Sequence, residues 1–164
     1  VTGDSVDRMA AEWAALAPSL DVRALHVVGR VLRYAEHSRQ AIVAALRPLG
    51  LSYGDFDVLN SLRRRAVPGG VNPTELTRSS LVTSGAMTAR LDRLAAAGLV
   101  ERGQDDRDRR AVLVRLTTAG EELATAALDA VLAADERLLA PLDEAGRDQL
   151  GALLRTVLAP LDGA

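Results

Sequence analysis

Asn72-Pro73-Thr74-Glu75-Leu76 opens the stretch that decides the fold. Asn72 is a capping side chain, Pro73 occupies the first helical position where its missing N–H costs nothing, and Glu75 follows three residues after the cap. The helix they start is short, because Ser79-Ser80 and Thr83-Ser84-Gly85 reopen the chain soon afterwards. A second helix is expected over residues 83–97, with Met87, Leu91 and Leu94 facing inward and Gly98 as its stop. Two short helices joined by a tight turn make a helix-turn-helix. Residues 99–102 and 111–116 then read as short strands, the second alternating Val112, Val114 and Leu116 with other residues. The polar loop between them, residues 103–110, turns the pair into a hairpin wing beside the helices.

Working outward, helical spacing continues on both sides. A short amphipathic helix is expected over residues 5–16, ending before Pro18. Asp21 caps a long helix in which Leu25, Val28, Leu32, Ile42, Leu46 and Leu49 recur until Pro48 and Gly50 stop it. Ser52 starts the next helix, with Phe56, Leu59 and Leu62 on one face and Arg63-Arg64-Arg65 near its end. Beyond the wing, Thr118 and Glu121 form a capping box for a long Ala/Leu helix running to Pro141, and a last helix is expected over residues 143–158. The expected fold is therefore mainly α with a small β-hairpin wing. Residues 1–50 supply N-terminal helices, residues 51–116 a winged helix-turn-helix lobe, and residues 117–164 C-terminal helices. The terminal helices carry more apolar surface than a lone winged lobe can bury, so they are expected to form a dimerisation region with a second copy.

Composition narrows the function. The 164 residues suit one compact domain with helical extensions, and the absence of cysteine excludes disulfides, thiolate metal sites and a cysteine nucleophile. His26 and His37 are the only histidines. Eleven residues apart, they return to nearly the same helix face, and no further metal ligands accompany them. If one lies at a two-fold axis, acid would charge both copies and loosen the contact. With no glycine loop for phosphate and no nucleophile elbow, neither an enzyme nor a cofactor is implied. No apolar run reaches the roughly 18 residues of a membrane span and no signal peptide is visible, so the chain reads as soluble and cytoplasmic, without a membrane partner.

All 20 basic residues are Arg, and their placement is uneven. Residues 63–115 hold eleven Arg against six acids, a balance of +5, whereas the rest holds nine Arg against sixteen acids, or −7. A basic middle between acidic ends fits a chain that offers one face to a polyanion, and it fits a solvated charged face as well. In the second helix, Ser84, Thr88, Ala89 and Arg90 face outward near the N-terminal end, which approaches base edges in this kind of docking. Thr83 and Ser84 serve equally as helix caps. In the wing, Arg107, Arg109 and Arg110 can reach a minor groove, and the interleaved Asp105, Asp106 and Asp108 require pairing, at least at Asp108. Taken alone that loop is an ordinary charged turn; directly after a helix-turn-helix, contact with double-stranded DNA is the stronger reading.

These motifs, with Leu91-Asp92-Arg93-Leu94, Gly98-Leu99-Val100-Glu101-Arg102, Asp108-Arg109-Arg110 and Leu116-Thr117-Thr118-Ala119-Gly120, resemble the MarR family of winged-helix transcription regulators over roughly residues 21–160. The resemblance implies a homodimer with interlocked terminal helices, two lobes reading a pseudo-palindromic operator, and repression relieved by a small ligand. On this reading the DNA-contacting set is Thr83, Ser84, Gly85, Thr88, Arg90, Arg93, Arg107, Arg109 and Arg110. A narrower resemblance, to the urate-responsive branch, rests on Trp13, Asp57, Arg90 and Arg102, and implies that they bind a small anionic effector. Two guanidinium groups can hold an anionic purine, a carboxylate can accept from ring N–H groups, and an indole can cover the ring face. Drawing Arg90 toward a ligand would re-aim the recognition helix. Each residue also has a plainer role: Arg102 as a structural ion pair, Asp57 as a local cap or pair, Trp13 as packing. Phenolic and polycarboxylic acids fit such a pocket as well.

Overall fold

A computed structural model of the chain describes residues 3–65, 67, 69–79, 87–104 and 112–163. It divides into two compact units, Val1–Ala41 and Ile42–Ala164. Among the described residues, no helix is long and apolar enough to cross a membrane.

In the first unit, α1 (Ser5–Leu16) and the first part of α2 (Arg23–Leu46) lie together. Asp4 caps α1 by accepting from the backbone N–H groups of Val6 and Asp7, while Asp7 accepts in return from the Asp4 N–H, a complete capping box. Asp21 caps α2 as its sequence position predicts, accepting from Arg23 N at 3.0 Å. α1 buries Val6 and Ala10 and leaves Met9, Trp13 and Leu16 outward. Arg30 fastens α1 to α2: its guanidinium donates to Asp4 at 2.8 Å and Asp7 at 2.6 Å, and also to the His26 carbonyl at 2.8 Å. His26 Nδ1 sits 3.9 Å from the Asp7 carboxylate, and His37 is exposed.

The second unit is built on α3 (Tyr53–Arg65), α4 (Pro73–Ser79), α5 (Met87–Ala96), β1 (Val100–Gln104), β2 (Val112–Leu116) and α6 (Thr118–Leu139). α7 (Glu144–Asp162) completes the chain. Leu46, Phe56, Val58, Leu59, Leu62, Leu76, Leu91, Leu94, Val100 and Val114 form one core with the alanine face of α6. Asn72 caps α4 through Thr74 N at 2.8 Å, as its sequence position predicts. The strands pair antiparallel with Val100 opposite Leu116 and Gln104 opposite Val112, and Val71 adds a single bridge to Val114. β1 thus starts one residue later than expected from sequence, because Leu99 is consumed in ending α5, and runs two residues further, to Gln104; residue 111 of the expected second strand lies outside the described residues. Gly98, at φ 70°, puts the chain in the left-handed region, and Leu99 N returns to the Leu94 carbonyl at 2.9 Å.

The cap of α6 also differs. It is Thr117, not Thr118, whose hydroxyl accepts from Gly120 N at 3.0 Å and donates to the Gly98 carbonyl at 2.6 Å. Thr117 N reaches the Leu99 carbonyl at 3.1 Å, and that same oxygen occupies the space a side chain at Gly120 would fill. α7 buries none of its residues. Its Leu150, Leu153, Leu154, Val157, Leu158 and Leu161 form an exposed apolar stripe at helical spacing.

Replacing Gly120 by Ala forces the Leu99 carbonyl and the end of α5 to move, and is expected to cost about 3 kcal/mol of unfolding free energy, read by urea denaturation. In the first unit, the Asp7 N–H holds the Asp4 carboxyl below its ordinary range, and Arg30 does the same for Asp7. A carboxyl depressed in the folded state contributes stability above its unfolded value, about pH 4, that is lost as pH falls through the lower folded value. Fluorescence of Trp13, the single tryptophan, should accordingly stay constant from pH 8 to 5 and change only below about pH 4. Arg30→Ala should produce the acid-type spectrum at neutral pH.

Candidate nucleic-acid and effector interface

The recognition helix is described from Met87 onward, where Met87, Leu91 and Leu94 plant it in the core as the periodicity predicts. Thr88 and Ala89 are exposed on its outer side. Thr83, Ser84 and Gly85 of the DNA-contacting set lie outside the described residues, as do Arg107, Arg109 and Arg110 with Asp105, Asp106 and Asp108.

Arg90 departs from a simple outward position. Its guanidinium lies on α3 at Gly54: a Cβ built there would sit 2.5 Å from Arg90 Cζ and 2.6 Å from Nη2, and closer still to Nε. Arg90 Nε and Nη1 are buried, and neither has a hydrogen-bond partner among the described residues. Gly54, Asp57 and Ser61 share one face of α3 by their spacing, so Arg90 is brought to the face that carries Asp57. Asp57 is 8% exposed and Ser61 1%, the polar members of an otherwise apolar buried set, and Ser61 Oγ has no hydrogen-bond partner among the described residues. Ser52 caps this helix through Asp55 N at 3.1 Å, which places Gly54 in the first turn.

The neighbouring charges set the local field. Burial raises the pKa of Tyr53, and the carboxylates of Asp57 and Asp135 raise it further. Asp135, on α6, is itself raised by burial and then by Glu136. The hydroxyl of Tyr53 is thus kept protonated, a donor beside two acids.

Two other arginines of the sequence-derived sets are occupied by carboxylates. Arg93 donates to Asp55 at 2.9 Å, an ion pair between α5 and α3. Arg102, on β1, donates to Asp92 at 2.6 Å, so it stands as an ion pair with the recognition helix. The Arg102–Asp92 pair is solvent-exposed on both sides and is worth less than about 1 kcal/mol, so Asp92 can be exchanged for another anion at small cost, whereas Asp55 is largely buried and holds Arg93 more firmly. Trp13 belongs to the N-terminal unit, where it is 42% exposed. A surface hollow of about 510 Å³ near the start of α6 is lined by Glu121, Glu122 and three threonines, a poor setting for an anion. Among the described residues, no group of three or more His, Asp or Glu is arranged to hold a metal.

Sequence reading passed over Gly54 and Ser61. The available signals were a glycine in a helix's first turn and a serine in the Leu59-Asn60-Ser61-Leu62 stretch of an inward face.

Comparison with known proteins places the chain among winged-helix regulators. Residues 49–111 match the family model described as MarR family. The chain is 31% identical over 146 residues to the HTH-type transcriptional regulator PecS of Dickeya dadantii, covering 89% of this chain and 88% of that protein. It is 38% identical over 118 residues to the HTH-type transcriptional repressor Rv2887 of Mycobacterium tuberculosis, covering 72% and 78% respectively. A mutant MarR from E. coli complexed with operator DNA superposes with a TM-score of 0.70 at 30% identity, covering 89% of this chain and 97% of that one.

Proposed function

The chain belongs to the MarR family of DNA-binding transcriptional regulators, and on that footing we propose that it is a repressor released from its operator by a small anion such as urate. Its relatives are regulators, not enzymes, so the chemistry to explain is binding. The observation that carries the proposal is Arg90: a recognition-helix cation drawn back onto α3, with Nε and Nη1 buried and without acceptors among the described residues.

An unsatisfied buried polar group costs about 1–3 kcal/mol, and a charged one more. A bound anion that accepts from Arg90 removes that cost and holds the side chain in its withdrawn position. Without the anion, Arg90 gains by swinging out to a DNA phosphate. A ligand that prefers the withdrawn state then weakens DNA binding by its differential affinity for the two states. Urate suits the position because its anionic edge can accept from Arg90 while a ring N–H donates to Asp57. Arg102 joins as a second cation by exchanging Asp92 for the ligand, and Trp13 is the remaining member of the effector set.

DNA reading falls to the lobe of residues 51–116. Thr83, Ser84, Gly85, Thr88 and Arg93 serve the major groove, and Arg107, Arg109 and Arg110 the minor groove beside it. Residues 1–50 and 117–164 supply the dimerisation helices. The exposed stripe of α7 supports a second copy as its cover, and two copies place two recognition helices on half-sites about 34–36 Å apart, the spacing of a pseudo-palindromic operator. Such a regulator works where the chromosome is, in the cytoplasm.

The test is a DNA retardation assay with the promoter of the neighbouring gene, titrated in parallel with urate, salicylate and citrate. Binding should weaken steeply with salt, by about 0.9 log units per log unit of salt for each phosphate contact. Arg110→Ala should lower that slope by about one contact. Urate should release the DNA, and Arg90→Ala should abolish the release while preserving a complex. Release by salicylate or citrate alone would assign the site to a phenolic or polycarboxylic acid. Failure of the unmodified protein to bind any DNA at low salt would end the proposal, and urate release that persists in Arg90→Ala would end Arg90's part in it.

A further inference from the structure

Helix propensity favours nearly any residue over glycine at position 54, since Gly54 has no unusual backbone conformation to justify it. What the position does require is the absence of a Cβ. Carbon atoms in contact settle near 3.5–4.0 Å, whereas a Cβ at Gly54 would meet Arg90 Cζ at 2.5 Å and Nη2 at 2.6 Å. All three nearest atoms belong to the guanidinium, the far end of a flexible side chain, and none belongs to the backbone. A methyl group at this site therefore displaces the Arg90 head and leaves the helices where they are.

We infer that Gly54 is the positioning residue of the switch: its bare backbone is the seat that admits the Arg90 guanidinium to α3, and it decides whether the withdrawn state exists. The functional consequence rests on the anion-release reading above, while the seating of Arg90 does not. With the seat filled, Arg90 has only the outward position. The protein then keeps its operator, with Arg90 held at its phosphate contact, and no longer answers to the anion.

Gly54→Ala tests this in two separable ways. The first needs neither DNA nor effector. Phenylglyoxal modifies accessible arginines, and mass spectrometry of the digest follows Arg90 against the exposed Arg47 as internal reference. Arg90 should react slowly in the unmodified protein and at the rate of Arg47 in Gly54→Ala. Equal protection of Arg90 in both proteins would overturn the inference. The second is the retardation assay with urate, salicylate and citrate. Gly54→Ala should bind DNA with the salt slope of the unmodified, anion-free protein and resist release. A variant whose Arg90 is reactive but which is still released as readily as the unmodified protein would overturn the coupling of seat to switch. If instead the unmodified complex ignores all three anions, the anion-release reading falls, and the phenylglyoxal comparison still decides the role of Gly54.

A structural requirement for glycine is separated by repeating the substitution in an Arg90→Ala background. With no guanidinium to displace, Ala at position 54 should raise Tm, as helix propensity alone dictates. An equal loss of Tm in both backgrounds would show that the backbone packing, not Arg90, needs the glycine, and would overturn the inference.

Discussion

The carbonyl of Leu99 pressed against Gly120 is the contact on which the DNA-binding lobe depends. Only a residue without a side chain admits it, and the Thr117 hydroxyl, bonded at once to the Gly98 carbonyl and the Gly120 N–H, locks it in place. The exit of the recognition helix, the root of the hairpin and the first turn of α6 are thereby one piece. A two-stranded ribbon of five-residue strands has little stability alone. Here it borrows rigidity from α6, and Val71 adds a third point of attachment.

That rigidity determines where regulation can act. With the C-terminal end of α5 held, the adjustable elements are its side chains toward α3 and its N-terminal end. The arginines there are treated differently. Arg93 and Arg102 each have a carboxylate partner within 3 Å, whereas the buried nitrogens of Arg90 have none among the described residues. Two buried guanidinium nitrogens without acceptors among the described residues are the imbalance from which the proposed anion control starts. On the proposed reading, that imbalance raises the affinity of an anion that accepts from these nitrogens. On that reading Asp57, on the face of α3 that Arg90 reaches, supplies an acceptor beside the cation, which favours a ligand that also carries a donor over a simple inorganic anion.

Much of the fold was legible locally because its punctuation is local. Asn72, Asp21 and Gly98 do at short range what their chemistry requires, and the alternation at Val112, Val114 and Leu116 holds at the buried Val114 and half-buried Leu116 but not at Val112, which is exposed. The reading slipped where tertiary contact chose between neighbours. Thr117 and Thr118 are equivalent as caps in sequence, and the bond from Thr117 to the Gly98 carbonyl selects the first. At the site, Asp57 and Arg90 came from resemblance and stand on facing elements. The pairing of Arg93 with Asp55 and of Arg102 with Asp92 depends on how α5 is rotated against α3 and β1, which no sequence spacing encodes. Gly54 was invisible for the same reason, since the group that needs its empty volume arrives from 36 residues away in the chain.

The most direct test of anion control through Arg90 is a crystal structure of the protein with urate bound. The purine should lie between α3 and α5, accepting from the Arg90 guanidinium and within hydrogen-bond reach of Asp57. Urate bound elsewhere, with the Arg90 nitrogens still without an acceptor over Gly54, would contradict anion control through Arg90.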